Sequence, residues 1–341
     1  MYHPFTYPEA LVIGLVQGVT ELFPISSLGH SVIIPALVGG SWAQDLSVSA
    51  AESPYLAFIV GLHVATAAAM ILYFWRDWLR IIKGFFGSVA HVVSPAEGTR
   101  RFEPQTTEQR LAWMIILATI PVGLAGLLLE HDFRVYFSKP VLASIFLAIN
   151  GLILFSGEAV RRRRSGLDSQ QSVEDRQMAA VGGAGAPGGA RHSSGQRAFK
   201  QQEATLAVQA DKRLVGVGWL SAFGLGASQI LALLPGISRD GTVMVCGMFR
   251  GLSRQDAARF SFLLSAPVIL AAGVLKIPDL TGPLGNGVRG QVIAGSVASF
   301  IAAYLALRFL MRYFAQNRPL TPFAVYCLVA GIGCAIYLGV T

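Results

Sequence analysis

The sequence predicts an all-α polytopic membrane protein with six transmembrane helices plus two re-entrant helical hairpins in an inverted-topology repeat. Three observations carry that fold class. The 341 residues are 53% hydrophobic and only 13% charged, and the mean hydropathy is +0.54; a soluble domain carries roughly 25% charged residues. The Lys and Arg residues crowd into a few segments. A short polar pattern occurs twice, each time inside a stretch otherwise apolar enough for lipid.

In chain order, apolar runs fall at 10–38, 56–75, 111–129, 140–160, 214–234, 260–277, 288–310 and 320–340. A helix of about 20 residues crosses a hydrocarbon core of ~30 Å, so most of these runs suffice. Helices are required, because lipid does not tolerate open strand edges and no dyad alternation signals a barrel. Residues 1–10 contain no Lys or Arg, so no cleavable signal peptide is expected.

Segments 76–110, 161–213, 249–259 and 308–318 hold 22 of the 27 Lys and Arg residues, and residues 1–55 hold none. The positive-inside rule puts those four segments in the cytoplasm. Span 56–75 then runs inward, 111–129 outward and 140–160 inward. Segments 161–213 and 249–259 share a side, so 214–248 must enter and return. Spans 260–277, 288–310 and 320–340 run outward, inward and outward. Residues 1–55 start and finish outside, which makes their apolar run a hairpin too. Each half is one hairpin followed by three spans, and the odd number inverts the second half.

Three units follow: a first repeat over 1–160, a disordered cytoplasmic linker over 161–213 and a second, inverted repeat over 214–341. The linker opens on the stop signal Arg161 to Arg164 and contains the low-complexity tract 182–189. Trp75, Arg76, Asp77 and Trp78 read as an interfacial anchor. The net charge of +8 does not indicate nucleic acid, because the basic residues sit at helix ends and loops. Cys246, Cys327 and Cys334 lie in apolar segments without metal-ligand spacing and read as small buried side chains.

The polar islands carry the chemistry. Gly14, Gln17 and Glu21 share one helical face. Pro24 breaks that helix, Ser26 or Ser27 caps the next, and His30 follows one turn later. The second island repeats the device, with Gln229 before the Pro235-Gly236 break, then Ser238, Arg239, Asp240 and Thr242. A charged group inside a membrane segment costs roughly 2.5–3.5 kcal/mol on insertion scales, so it signals function by default. Each residue also has a plainer reading: serines cap helices, a buried His bonds a neighbouring helix, and an Arg pairs with Glu21 or Asp240. His63, alone on its span, reads as structural. Carboxylate, hydroxyls, imidazole and guanidinium on two facing broken hairpins together form the parts needed to hold and split a phosphate ester.

These residues bear a resemblance. Gln17-Gly18-Val19-Thr20-Glu21, continued by Pro24-Ile25-Ser26-Ser27-Leu28-Gly29-His30, resembles the [EQ]-x-x-x-E region of the undecaprenyl-diphosphatase, or bacitracin-resistance, family. Pro235 to Gly241 is similar to that family's P-G-x-S-R-S-G motif. The resemblance covers both halves but not 161–213. It implies hydrolysis of undecaprenyl diphosphate to the monophosphate carrier lipid at the outer, periplasmic face of the bacterial inner membrane, with roles in peptidoglycan synthesis and bacitracin tolerance. It also implies a divalent cation, Mg or Ca, bound at Glu21.

The expected catalytic residues are Glu21, Ser27, His30 and Arg239. Gln17, Ser26, Gln229, Gly236, Ser238 and Thr242 are the expected substrate contacts. Either Ser27 attacks phosphorus, with His30 at i+3 as its base, or His30 activates a water. Two departures matter: Gln17 takes the neutral option in the first motif, and Asp240 replaces a serine, where it would serve as a second metal ligand, as an orienting partner for Arg239 or His30, which is the favoured reading, or as a source of repulsion toward the diphosphate. The partners are a polyprenyl diphosphate and membrane lipid, with no nucleic acid; a homodimer is compatible, although the sequence sets no oligomeric state. The rival from another class is a polyprenyl-phosphate transporter or flippase using the same inverted-repeat site. A binding site needs donors but no nucleophile–base pair, so that pair discriminates.

Overall fold

A computed structural model describes residues 5–46, 54–93, 104–137, 139–181, 209–281 and 287–340. Among the described residues every regular element is helical. Helix α1 (Tyr7–Leu22) begins with a capping box, in which Thr6 and Glu9 satisfy each other's backbone amides. It ends before Pro24, and α2 (Ser27–Val38) follows the break. A short α3 (Gly40–Asp45) leads toward α4 (Pro54–Tyr73). Then come α5 (Trp75–Val93), α6 (Thr107–Phe137) and α7 (Pro140–Val181). In the second half α8 (Gln209–Gly216) precedes α9 (Trp219–Ser228), which tightens into a 3-10 turn over Gln229–Leu233. After the Pro235-Gly236 break come α10 (Arg239–Phe249), α11 (Arg254–Thr281), α12 (Arg289–Ala315) and α13 (Thr321–Val340).

Among the described residues five helices are long and apolar enough to cross a membrane: Thr107–Leu129, Pro140–Arg164, Arg254–Val274, Arg289–Ala315 and Thr321–Val340. The number rises to seven if α4 with α5, bent by 85°, and α8 with α9, bent by 86°, each count as one broken span. The chain is therefore a multi-pass membrane protein. The Arg254–Val274 part of α11 is the most enclosed of the five.

Small residues set the helix contacts. Helix α1 lies along α12, and α9 lies along α6. A side chain at Gly14 or Gly18 would run into the Gly295 and Ser299 carbonyls of α12, and one at Gly226 into Ala118 of α6. Such close approach supplies the dispersion contact that holds helices together in lipid. Helix α4 packs on α11 and α12, and α7 packs on α13, where Gly151 faces Ala324 and Gly331 faces Ala148.

Two segments differ from expectation. Residues 161–181, assigned above to a disordered linker, continue α7 without interruption, because Arg, Gln, Glu and Ala are good helix formers and no Pro intervenes. Residues 209–213 likewise belong to α8, and 182–208 lie outside the described residues. The expected loop 76–110 opens with helix α5. Its Trp75, Leu79, Ile82, Phe86 and Val89 form one exposed apolar stripe, the pattern of a helix lying in the membrane interface.

Several arginines counted as orientation signals are also structural. Arg254 bonds both oxygens of Glu158 at 2.6 and 3.1 Å and reaches Asn317 beyond α12. Arg259 bridges Asp77 of α5 and Asp211 of α8 at 2.9 and 2.7 Å, and Arg80 pairs with the same two carboxylates. These buried pairs pin α5, α7 and α8 to α11.

Candidate active site

The two breaks meet. At the first, Ser26 adopts φ 68°, a left-handed conformation unusual for a side-chain-bearing residue. Its Oγ accepts the Gly29 amide at 3.3 Å, capping α2, and the Gly236 amide of the second break at 3.1 Å. Gly236 has φ 111° and lies so close to Ala143 of α7 that a Cβ would strike the Ala143 carbonyl. Glycine is required there on both counts.

Asn150, in the first third of α7, holds both breaks at once. Its Nδ2 donates to the Pro24 carbonyl at 2.9 Å, and its Oδ1 accepts the Ser238 amide at 3.0 Å. The residue is fully buried. Sequence reasoning missed it, although an Asn inside the apolar run 140–160 was a readable signal.

Glu21 is the hub, and it too is buried. Its Oε1 accepts from the Arg239 guanidinium at 2.6 Å. Its Oε2 accepts from Ser27 Oγ at 2.5 Å and from Gln17 Nε2 at 2.8 Å, and His63 Nε2 lies 3.3 Å away. Carboxylate, hydroxyl and guanidinium therefore come together as expected, across 218 residues of chain between Glu21 and Arg239. His63 joins them although it read as structural. Its Nδ1 faces the Ile59 carbonyl at 2.8 Å, so both ring nitrogens face acceptors and the arrangement suits the doubly protonated ring.

His30 sits elsewhere than expected. Its Nδ1 donates to the Ser26 carbonyl at 2.6 Å, which leaves Nε2 to accept from Tyr326 at 2.7 Å. Both nitrogens are thus engaged, and the hydrogen acceptor of Ser27 is Glu21 rather than His30. The i, i+3 spacing puts the two residues on one face, but the α2 cap turns the ring back onto its own backbone.

The remaining expected contacts divide. Gln17 borders Glu21, and its Oε1 is buried with no hydrogen-bond partner among the described residues. Gln229 caps the C-terminus of α9 in the second half, with both amide atoms buried and without a hydrogen-bond partner among the described residues. Unmade buried bonds of this kind cost about 1–3 kcal/mol each, and such atoms commonly await water or a ligand. Ser238 Oγ caps α10 through the Gly241 amide at 3.1 Å, and Thr242 Oγ1 donates to the Arg239 carbonyl at 2.9 Å. Those hydroxyls shape the helix that carries Arg239. Asp240 points away from the hub. Its Oδ1 accepts from Ser261 at 2.6 Å and Ser265 at 2.7 Å, both on α11. The expected orientation of Arg239 or His30 by Asp240 is thus replaced by an anchor between α10 and α11.

A family model described as "Bacitracin resistance protein BacA" matches residues 10–191 and 194–333. The chain belongs to the BacA family. Relatives match nearly the whole chain. It is 55% identical over 333 residues to the undecaprenyl-diphosphatase of Mycolicibacterium paratuberculosis, covering 98% of this chain and 97% of that one. It is 48% identical over 359 residues to undecaprenyl-diphosphatase 2 of Frankia alni, covering 98% of each. At 36% identity over 334 residues it also matches the undecaprenyl-diphosphatase of Granulibacter bethesdensis, covering 97% of this chain and 96% of the relative. The BacA match includes every residue of the hub and both breaks.

Proposed function

We propose that this BacA-family chain is an integral membrane phosphatase that hydrolyses undecaprenyl diphosphate to undecaprenyl phosphate and inorganic phosphate. The observation that carries the reading is the Ser27 hydroxyl donating at 2.5 Å to a carboxylate whose other oxygen holds Arg239 at 2.6 Å. A serine hydroxyl is a weak nucleophile until a base stands beside it. Phosphoryl transfer gains most from fixed positive charge around the equatorial oxygens.

In this mechanism the polyprenyl tail stays in lipid and the diphosphate enters between the breaks. Arg239 keeps one donor on Glu21 and turns its others to the terminal phosphate. Ser27 attacks the terminal phosphorus as its proton passes to Glu21, the P–O bond to the bridging oxygen breaks, and undecaprenyl phosphate leaves. Water then cleaves the phosphoserine, releasing inorganic phosphate and restoring the hydroxyl. His63 is a positioning residue that holds Glu21 toward Ser27. Gln229 Nε2 is free to donate to a diphosphate oxygen, while the amide oxygens of Gln17 and Gln229 are acceptors for water beside it.

A divalent cation, Mg or Ca, fits this donor set as one carried in with substrate. Among the described residues no group of three or more His, Cys, Asp or Glu could hold an ion, but Glu21 and the unpartnered Gln17 Oε1 offer two oxygens. Hard cations complete such partial sets with phosphate oxygens and water. When bound, the ion would supply further charge neutralisation to the diphosphate.

The packing supports the finer topology proposed here, six spans and two re-entrant hairpins in inverted repeat. The first hairpin's α1 lies on α12, the second-half counterpart of α6, while the second hairpin's α9 lies on α6. Broken helices meeting at a repeat interface are where inverted-repeat proteins place their sites. The hub then faces the periplasm of the bacterial inner membrane, where the product re-enters carrier-lipid recycling for peptidoglycan and the activity confers bacitracin resistance. The test is phosphate release from undecaprenyl diphosphate by the purified chain in detergent, with and without chelator. Release without any second compartment supports the enzyme; binding without release would point to a carrier.

A further inference from the structure

A concave site lies away from the hub. Helix α10 carries Arg239 at its start and is 11 residues long, which at ~1.5 Å per residue puts its other end about 16 Å away. There a cavity of about 570 Å³ opens between the middle of α7, the ends of α8 and α10 and the start of α11. Three guanidinium groups line it, those of Arg161, Arg213 and Arg250.

The one acid in the lining, Asp256, is already spent. Arg213 holds both its oxygens at 2.7 and 3.0 Å, and Ser253 donates to it at 2.9 Å. Arg161 and Arg250 have no carboxylate partner among the described residues, and Arg250 is exposed. The floor is backbone: Gly251 has φ 93°, and a Cβ there would stand 3.3 Å from the Arg164 guanidinium. Arg164 in turn fixes the turn by donating to the Phe249 carbonyl at 2.8 Å. Positive charge therefore surrounds an open concavity, and the turn beneath it is braced.

The neighbouring surface is apolar. Phe249 precedes the lining residues Arg250 and Gly251, Trp219 and Leu220 follow Val217, and all three hydrophobic side chains are exposed, Leu220 at 80%. The 86° bend between α8 and α9 falls at the same edge. Charge that can hold a phosphate thus borders surface that belongs in acyl chains. Basic pockets at helix ends of membrane proteins suit anionic lipid headgroups on these terms.

We propose that Arg161, Arg213 and Arg250 form a binding site for the phosphate headgroup of an anionic phospholipid, separate from the catalytic hub. The test uses the purified full chain in detergent, with lipid retention read by native mass spectrometry, so that its outcome does not depend on phosphatase turnover. Phosphatidylglycerol, phosphatidylcholine and inorganic phosphate are the probes. The expected result is retained phosphatidylglycerol, with Arg161→Gln/Arg250→Gln weakening retention at least about tenfold, since each surface arginine contributes severalfold. An unchanged elution profile and an unchanged melting temperature show that the variant is folded. Equal retention of phosphatidylcholine, retention unaffected by the double substitution, or displacement of the lipid by inorganic phosphate would each overturn the proposal, the last by assigning the pocket to free phosphate.

Discussion

His63 Nε2 lies 3.3 Å from Glu21 Oε2, on the same oxygen that accepts the Ser27 hydroxyl. The contact gives an apolar span a direct part in the hub. If His63 holds Glu21 toward Ser27, His63→Ala should lower kcat by roughly 10- to 100-fold with KM changed only a few-fold. His63→Gln, which keeps a donor, should recover most of the loss. Equal defects in both variants, or a loss confined to KM, would assign His63 to substrate binding.

Ser27→Ala should reduce phosphate release by about a thousandfold or more, because the attacking oxygen is lost. The variant should still bind the diphosphate. A single-turnover reaction of the wild type, quenched in acid, should leave label on Ser27. Near-normal turnover of the alanine variant would mean that a water attacks directly.

Arg239→Lys keeps a charge but not the fork that serves Glu21 and phosphate together. We expect a loss of about a hundredfold in kcat/KM, and a larger one for Arg239→Ala. Steady-state kinetics on both variants check the order; equal activities would show that only the charge matters.

Much of this site was legible in the sequence because it is made of local signals. Glu21, Ser27 and Arg239 announced themselves as polar groups in apolar runs, and the prolines marked the breaks. Asn150 and His63 were passed over because a single polar residue on a span has many uses, and only the packing of α7 and α4 gives each its partner. His30 was placed on the correct helix with the wrong bond, since spacing fixes a face but not a rotamer. Arg254 and Arg259 served as orientation signals while also closing buried ion pairs, a second use that charge counting cannot see. The linker boundary at 160 followed a fall in hydropathy, whereas α7 persists because hydropathy and helix propensity are separate properties.

Asn150→Leu removes the donor to Pro24 and the acceptor for Ser238 at one stroke. Two buried backbone groups are left unpaired, at about 1–3 kcal/mol each. The melting temperature should fall by several degrees and activity should fall with it. Asn150→Asp, which keeps the acceptor alone, should lie between. An unshifted melting curve for Asn150→Leu would show that water replaces the clasp.

Asp240→Ser should keep turnover within a few-fold of the parent, because the carboxylate faces Ser261 and Ser265 rather than Glu21. Asp240→Leu should destabilise the protein by about 1–3 kcal/mol, since both serine hydroxyls lose their acceptor. A collapse of kcat in Asp240→Ser, with stability intact, would return Asp240 to the catalytic machinery.

The Glu21–Arg239 pair also constrains how the protein is made. The ribosome releases Glu21 early, and the guanidinium that neutralises it is 218 residues behind. Until the second half is in place, Glu21 has only first-half partners, Gln17, Ser27 and His63. The fixed positive charge of Arg239 arrives last, so the hub is expected to settle fully only when both halves of the chain have been inserted.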